Sequence, residues 1–287
     1  MLRSTLRFAL RSLWRRPGTS LVHAGGLAVG IACCFLALLY VQDERSTDRF
    51  HEHAEQIVTV QQQFMYGDMP VQIQTATPEA VEALRTQAPG VEAVAVTDVT
   101  TGFVRSESGR AGIALDAVRF ADPAFFDVFT FPLAAGDVAT ALAAPGQAVL
   151  TETLARSLFG RTDVIGEDVF VERTGFGVPD PEPLALTVTA VAEDPPEASS
   201  LPFEMLVSGS TPVASFDGPA PALDSSKPTF VRLASLADTM NARAAMQALR
   251  SDGDEATFSF LPLVDVHFSG SSDSMTGRAT YLILFST

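Results

Sequence analysis

The feature that most constrains this chain is an uncharged stretch near its start. From Thr19 to Gln42 there is no Asp, Glu, Lys or Arg, and Leu21 to Val41 is apolar apart from His23. At about 1.5 Å per residue a helix of that length reaches roughly 32 Å, enough for a hydrocarbon core of about 30 Å. The sequence therefore predicts a transmembrane helix over 19–42. Arg3, Arg7, Arg11, Arg15 and Arg16 precede it with no acid among residues 1–18, while Asp43, Glu44, Arg45, Asp48 and Arg49 follow it. Arginine excess stays on the cytoplasmic side, so the N-terminus is expected inside and the bulk of the chain outside. A cleaved secretory signal shares the basic start, but its apolar region usually runs about 7–15 residues before a small-x-small site, and no such site follows here.

Ahead of the apolar run, Leu2, Leu6, Leu10, Leu13 and Trp14 recur at spacings of three and four, opposite Arg3, Arg7, Arg11 and Arg15. Two opposed stripes at helical period predict an interfacial helix over 1–18, with its apolar side in membrane lipid and its Arg side, Arg16 included, toward anionic headgroups. Pro17-Gly18 would make the bend. Within the run, Gly26 and Gly30 form a G-x-x-x-G pair, a spacing that lets a second helix approach closely, although glycine is common in membrane helices in any case.

Charge separates the head from the rest. The 287 residues hold 34 acids and 19 bases; with five of those bases in the head, the remainder carries 14 against 34, a net of −20. Phosphate backbones need clustered Lys and Arg, so such a body is not a nucleic-acid binder. Both cysteines, Cys33 and Cys34, lie in the apolar run, which leaves the body without disulfides.

The body reads as an α+β arrangement. Strands are expected at 57–65, 91–99, 113–121, 147–150, 168–172, 184–191, 203–207, 230–233 and 257–263. Thr77-Pro78-Glu79 opens a helix to about Ala88, Asp122 is expected to cap a short helix, Thr151 caps one ending at Gly160, and another is expected over 236–250. Thr174–Pro183 and Ser208–Pro228 read as loops, the latter either functional or disordered. After Arg278 a short apolar run from Ala279 is either a terminal strand or the opening of a further span.

Reactive groupings are few in the sequence. The only lysine, Lys227, sits in no phosphate-binding loop, no G-x-S-x-G elbow occurs, and no cysteine lies outside the apolar run. His51 and His53 flank Glu52, but H-x-H puts the rings on different helix faces, which predicts a solvated segment rather than a metal site. His267 reads as a strand-end residue. No catalytic, metal or cofactor residue is assigned.

Several segments do resemble a known family. Leu-Arg-Ser-Leu-Trp-Arg-Arg-Pro-Gly ahead of the apolar run, Leu-Ala-Val-Gly-Ile-Ala within it and Tyr-Val-Gln-Asp-Glu-Arg-Ser-Thr-Asp-Arg-Phe-His after it are similar to the start of FtsX-like and MacB-like ABC transporter permeases. Asp122-Pro-Ala-Phe-Phe-Asp-Val-Phe-Thr-Phe-Pro-Leu, Leu158-Phe-Gly160, Val164-Ile-Gly-Glu167, Val191-Ala-Glu-Asp-Pro-Pro and Pro262-Leu-Val-Asp-Val-His267 extend the resemblance through most of the chain. It implies a periplasmic core domain over 43–278, in two subdomains, between a first span at 19–42 and a second beginning at 279–287. It further implies a bacterial inner-membrane permease without enzymatic activity, paired as a homodimer or heterodimer, served by a cytoplasmic ATPase on a separate chain and by a possible periplasmic adaptor. A stalk over about 42–54, helical and charged, would carry motion into the body. The alternative is a single-span periplasmic sensor with no transport role.

Overall fold

In a computed structural model the described residues are 17–44, 46–66, 69–106, 112–174, 183–213, 220–223, 225–249 and 257–266. The chain divides into two compact units, Met1–Ser46 and Thr47–Thr287.

In the first unit, helix α1 runs over Pro17–Glu44. Proline at its first position suits a helix start, and no later Pro or charge interrupts the Ala- and Leu-rich run. Val22, Leu27, Val29, Ile31, Phe35, Leu36, Leu38 and Leu39 are all exposed, by 51 to 72%. Among the described residues no helix is long and apolar enough to cross a membrane. Side chains of α1 are described continuously only over 25–39, about 22 Å of helix. The expected interfacial helix over 1–18, with Arg3, Arg7, Arg11, Trp14, Arg15 and Arg16, falls almost wholly outside the described residues, as do His267 and 279–287.

The second unit alternates strands and helices in mixed order. Along the chain come β1 (Ile57–Tyr66), β2 (Met69–Ile73), α2 (Pro78–Gln87), β3 (Val91–Ser106), β4 (Ile113–Ala121) and α3 (Phe125–Val128). Next are β5 (Leu133–Ala135), α4 (Val138–Ala141), β6 (Gln147–Thr151), α5 (Glu152–Phe159), β7 (Asp168–Thr174) and β8 (Leu184–Ala192). The series closes with β9 (Met205–Ser208), β10 (Pro212–Val213), β11 (Ala220–Pro221), β12 (Thr229–Leu233), α6 (Thr239–Gln247), β13 (Thr257–Pro262) and α7 (Leu263–Val266). One large sheet has the order β13-β1-β12-β3-β4-β9-β6-β8-β5, with β2 added on β1 and β7 on β3 and β8, while β10 and β11 pair separately. Its pairs are antiparallel except β4 with β9 and β6 with β8.

Local chemistry explains where several elements start. Thr77 Oγ1 accepts the Ala80 N–H at 3.3 Å and Thr151 Oγ1 accepts that of Leu154 at 3.3 Å, so both threonine caps form as expected. Asp122 is a correction: the residue at the N-cap of α3 is Ala124, without a side-chain cap. The Asp122 carboxylate is drawn instead to Arg85, at 2.5 Å, and to the Val96 N–H, at 3.1 Å. The helix expected over 236–250 splits into a 3-10 turn at Leu236–Asp238 followed by α6.

Alternation along the strands buries both faces of the sheet. Val58 and Val231 join Val60, Val94, Leu84 of α2 and Met246 of α6 on one face, whereas their neighbours Ile57 and Phe230 join a phenylalanine cluster on the other. Toward the far end, Val104, Leu115, Phe120, Val171, Leu186 and Met205 pack under Leu154 and Leu158 of α5. Thr47–Thr287 form one compact unit whose sheet is joined through β3. Its first residues pair with β12 and its last with β4 and β7. Gly102 permits that double use, since a Cβ there would lie 2.8 Å from the Glu172 carbonyl oxygen.

Candidate functional site

Among the described residues no group of three or more His, Cys, Asp or Glu is placed to hold a metal ion. The unusual construction lies at the entry to the body, in Thr47–Gln56. The helical stalk expected over 42–54 is helical only as far as Glu44 among the described residues: residues 46–50 form a turn, and Ala54–Gln56 is a 3-10 turn leading into β1. Asp48 has a left-handed backbone with φ 60°, which interrupts right-handed helix, and Asp is among the few residues that tolerate it.

Hydrogen bonds from the body hold that conformation. The Asp48 N–H donates to the Ala198 carbonyl at 3.0 Å, and Asp48 Oδ1 accepts the Ser200 N–H at 2.8 Å. These bonds sew the turn to the loop between β8 and β9. Three residues later His51 reaches the loop between α3 and β5. Its Nδ1 accepts the Thr130 N–H at 3.0 Å, and the Glu52 N–H donates to Thr130 Oγ1 at 3.0 Å. The imidazole is enclosed by aromatic rings, with centroids 4.0 Å away for Phe50, 5.3 Å for Phe129 and 5.1 Å for Phe131. Phe131 stacks in turn on Phe125 and meets Phe203 edge-on, which joins the clamp to the core.

His51 thus corrects the expectation of a solvated segment, for it is 3% exposed. Burial draws its imidazole down from 6.5 to about 4, so it is neutral near pH 7. Since Nδ1 accepts a bond, the ring proton sits on Nε2, which is buried and has no hydrogen-bond partner. His53 is half-buried and Glu52 exposed, and both border an open, polar hollow of about 370 Å³ with Arg49, Glu55 and Gln56.

Two other ionisable groups in the body are partly or wholly buried. Asp122 is pushed up to about 6 by burial, against the pull of Arg85. It sits in an open groove of about 360 Å³ between α2 and the segment around Gly209 and Leu223. Arg119 is 2% exposed; it donates to Thr97 Oγ1 at 2.8 Å and, through Nη2, to the Pro202 carbonyl at 3.1 Å. Burial lowers it to about 10, still well charged at neutral pH, helped by Asp98.

Of the residues singled out in the sequence, Gly26 and Gly30 lie exposed on α1, where a Cβ on either would meet nothing within 4 Å. The six cytoplasmic-interface residues named above are outside the described residues. The clamp residues Asp48, Phe50, His51 and Thr130 had no role assigned from sequence; the one signal was the density of phenylalanine at 125, 126, 129 and 131.

The sequence profile of the MacB-like periplasmic core domain matches residues 20–249. Among solved structures, the body is similar to a domain of a putative permease protein from Porphyromonas gingivalis, 26% identical with a TM-score of 0.57, over 74% of this chain and 91% of that one. It is also similar in fold to the periplasmic region of MacB from Actinobacillus actinomycetemcomitans, 15% identical with a TM-score of 0.52, over 85% and 96%. The extracellular domain of the noncanonic ABC-type transporter YknZ from Gram-positive bacteria matches at 16% identity and a TM-score of 0.46, over 71% and 99%. No curated protein sequence matches the chain.

Proposed function

Because this chain belongs to the MacB-like periplasmic core domain family, we propose that it is a permease subunit of an ABC transporter of the FtsX and MacB type, working outside the cytoplasm while a partner chain hydrolyses ATP inside. The whole of α1, 28 residues and about 42 Å, is then the inner-membrane anchor. Its exposed apolar side chains face lipid, and Gly26 and Gly30 face a second permease copy. Arg3, Arg7, Arg11, Trp14, Arg15 and Arg16 lie at the cytoplasmic surface, against headgroups and the ATPase. A periplasmic adaptor is a further partner of the body.

The observation that carries this reading is the clamp. Only two residues separate Glu44 from Thr47, and from there the chain is tied by backbone and side-chain bonds to two loops of the body. A displacement of the end of the helix is therefore delivered to the sheet by the covalent chain, as mechanical transmission requires.

The test is co-purification. The full-length gene product, extracted from its native membrane in mild detergent, should carry an ABC ATPase with it, and deleting residues 1–18 should remove that ATPase. A reporter fused after residue 100 should read as periplasmic. Absence of any ATPase from the intact complex would overturn the proposal in favour of a single-span sensor.

A further inference from the structure

We propose that one half of the clamp is released by acid: protonation of His51 at Nδ1 expels the Thr130 N–H and frees His51 and Glu52 from the loop carrying Thr130, while the Asp48 contacts stay. This rests on the reading above, in which the body lies in a compartment that follows external pH.

Valence at the ring nitrogen decides the outcome. Nδ1 has a single in-plane lone pair, and the Thr130 N–H occupies it. A proton can enter there only by expelling that N–H, after which two donors face each other. The new cation would also stand among Phe50, Phe129 and Phe131, where burial disfavours a charge. Its other nitrogen offers no relief, since Nε2 is buried without an acceptor.

The titratable and charged groups on the same segment are Asp48, Arg49, Glu52, His53 and Glu55. On the neighbouring elements they are Asp127 on α3, Glu193, Asp194 and Glu197 before β9, Arg232 on β12 and Asp265 on α7. At the imidazole, Nδ1 accepts the Thr130 N–H and Nε2 has no hydrogen-bond partner. His53, two residues on and half-buried, serves as the internal control. Release leaves the sheet intact, because the bonds lost are those of Thr130 and Glu52 alone.

Amide hydrogen exchange on the full chain in detergent micelles tests this, with rates corrected for the intrinsic effect of pH. From pH 7 to pH 4, protection of the Thr130 and Glu52 amides should fall at least tenfold, while Val149 and Leu150 in β6 hold theirs. His51→Gln keeps a carbonyl acceptor that does not titrate, and should make the two amides insensitive to pH; His53→Gln should leave the wild-type fall unchanged. If His51→Gln does not fold, the ring nitrogen shifts of His51 in labelled wild-type protein serve instead, and should titrate together with the loss of protection. Unchanged protection at pH 4, or the same fall in His51→Gln, would overturn acid release. Neither result bears on the permease reading, which stands or falls on ATPase co-purification at pH 7.

Discussion

Asp48 offers a direct measure of how firmly the entry turn is held, because it combines a left-handed backbone with a buried acceptor. Its φ is 60°, it is fully buried, and its Oδ1 accepts the Ser200 N–H at 2.8 Å. Replacement by alanine retains the strained backbone, which costs about 1 kcal/mol for a residue without a helpful side chain. It also leaves the Ser200 N–H unsatisfied, at about 1–3 kcal/mol. Asp48→Ala should therefore lose about 3 kcal/mol, or roughly 6–12 °C in Tm for a domain of this size. Asp48→Gly relaxes the backbone and should lose about 1 kcal/mol less than alanine. Asp48→Asn keeps both the left-handed tolerance and an acceptor oxygen, and should cost under about 1 kcal/mol. Thermal unfolding of the full chain in detergent, followed by far-ultraviolet circular dichroism, ranks the three. Equal losses for Ala and Asn, or a glycine variant more stable than wild type, would refute the argument, because the side-chain bond would then contribute nothing.

Arg119→Ala removes a buried guanidinium that serves Thr97 and Pro202 together; urea unfolding should show a loss of about 3–5 kcal/mol, the range for breaking such a network. Gly136 has φ 99° and a would-be Cβ only 2.6 Å from that of Ala190, so Gly136→Ala should cost more than about 2 kcal/mol by the same assay. Asp122, held at about 6 against 3.8, binds its proton more readily in the fold; its contribution is full below pH 3.8 and is lost as pH rises through 6. His51, held at about 4 against 6.5, contributes fully above pH 6.5, and that stability is lost as pH falls through 4. The two slopes oppose each other between pH 4 and 6, each amounting to about 3 kcal/mol end to end. Urea unfolding of Asp122→Asn across that window should thus show a steeper acid loss than wild type, and a flatter one would contradict the assignment.

What could be read from sequence was local. Thr77 and Thr151 cap their helices by bonding backbone groups three residues away, so spacing alone reveals them. Asp122 has the same local signature, but Arg85 and the Val96 N–H lie close enough in space to take its carboxylate. The second half of β3 was invisible for a related reason. Thr100–Ser106 is polar enough to pass for a loop, and its strand state depends on pairing with β7, about 70 residues further on. His51 was harder still. In sequence it stands among Asp, Arg and Glu, and its burial depends on Phe129, Thr130 and Phe131, nearly 80 residues away. The elements β5 and α4 are three and four residues long, too short for any period to show.

The way β1 begins has a mechanical corollary. The last turn of the clamp runs directly into Ile57, and from there β1 is bonded to β12 along three residue pairs and to β13 along six, both antiparallel. Tension applied along the axis of that strand loads all of those rungs at once, in shear, instead of peeling them singly from one end. Under such a load the weakest link is upstream of the sheet, at the Asp48 and His51 contacts, and the ladder behind them behaves as a stiff bar that yields last.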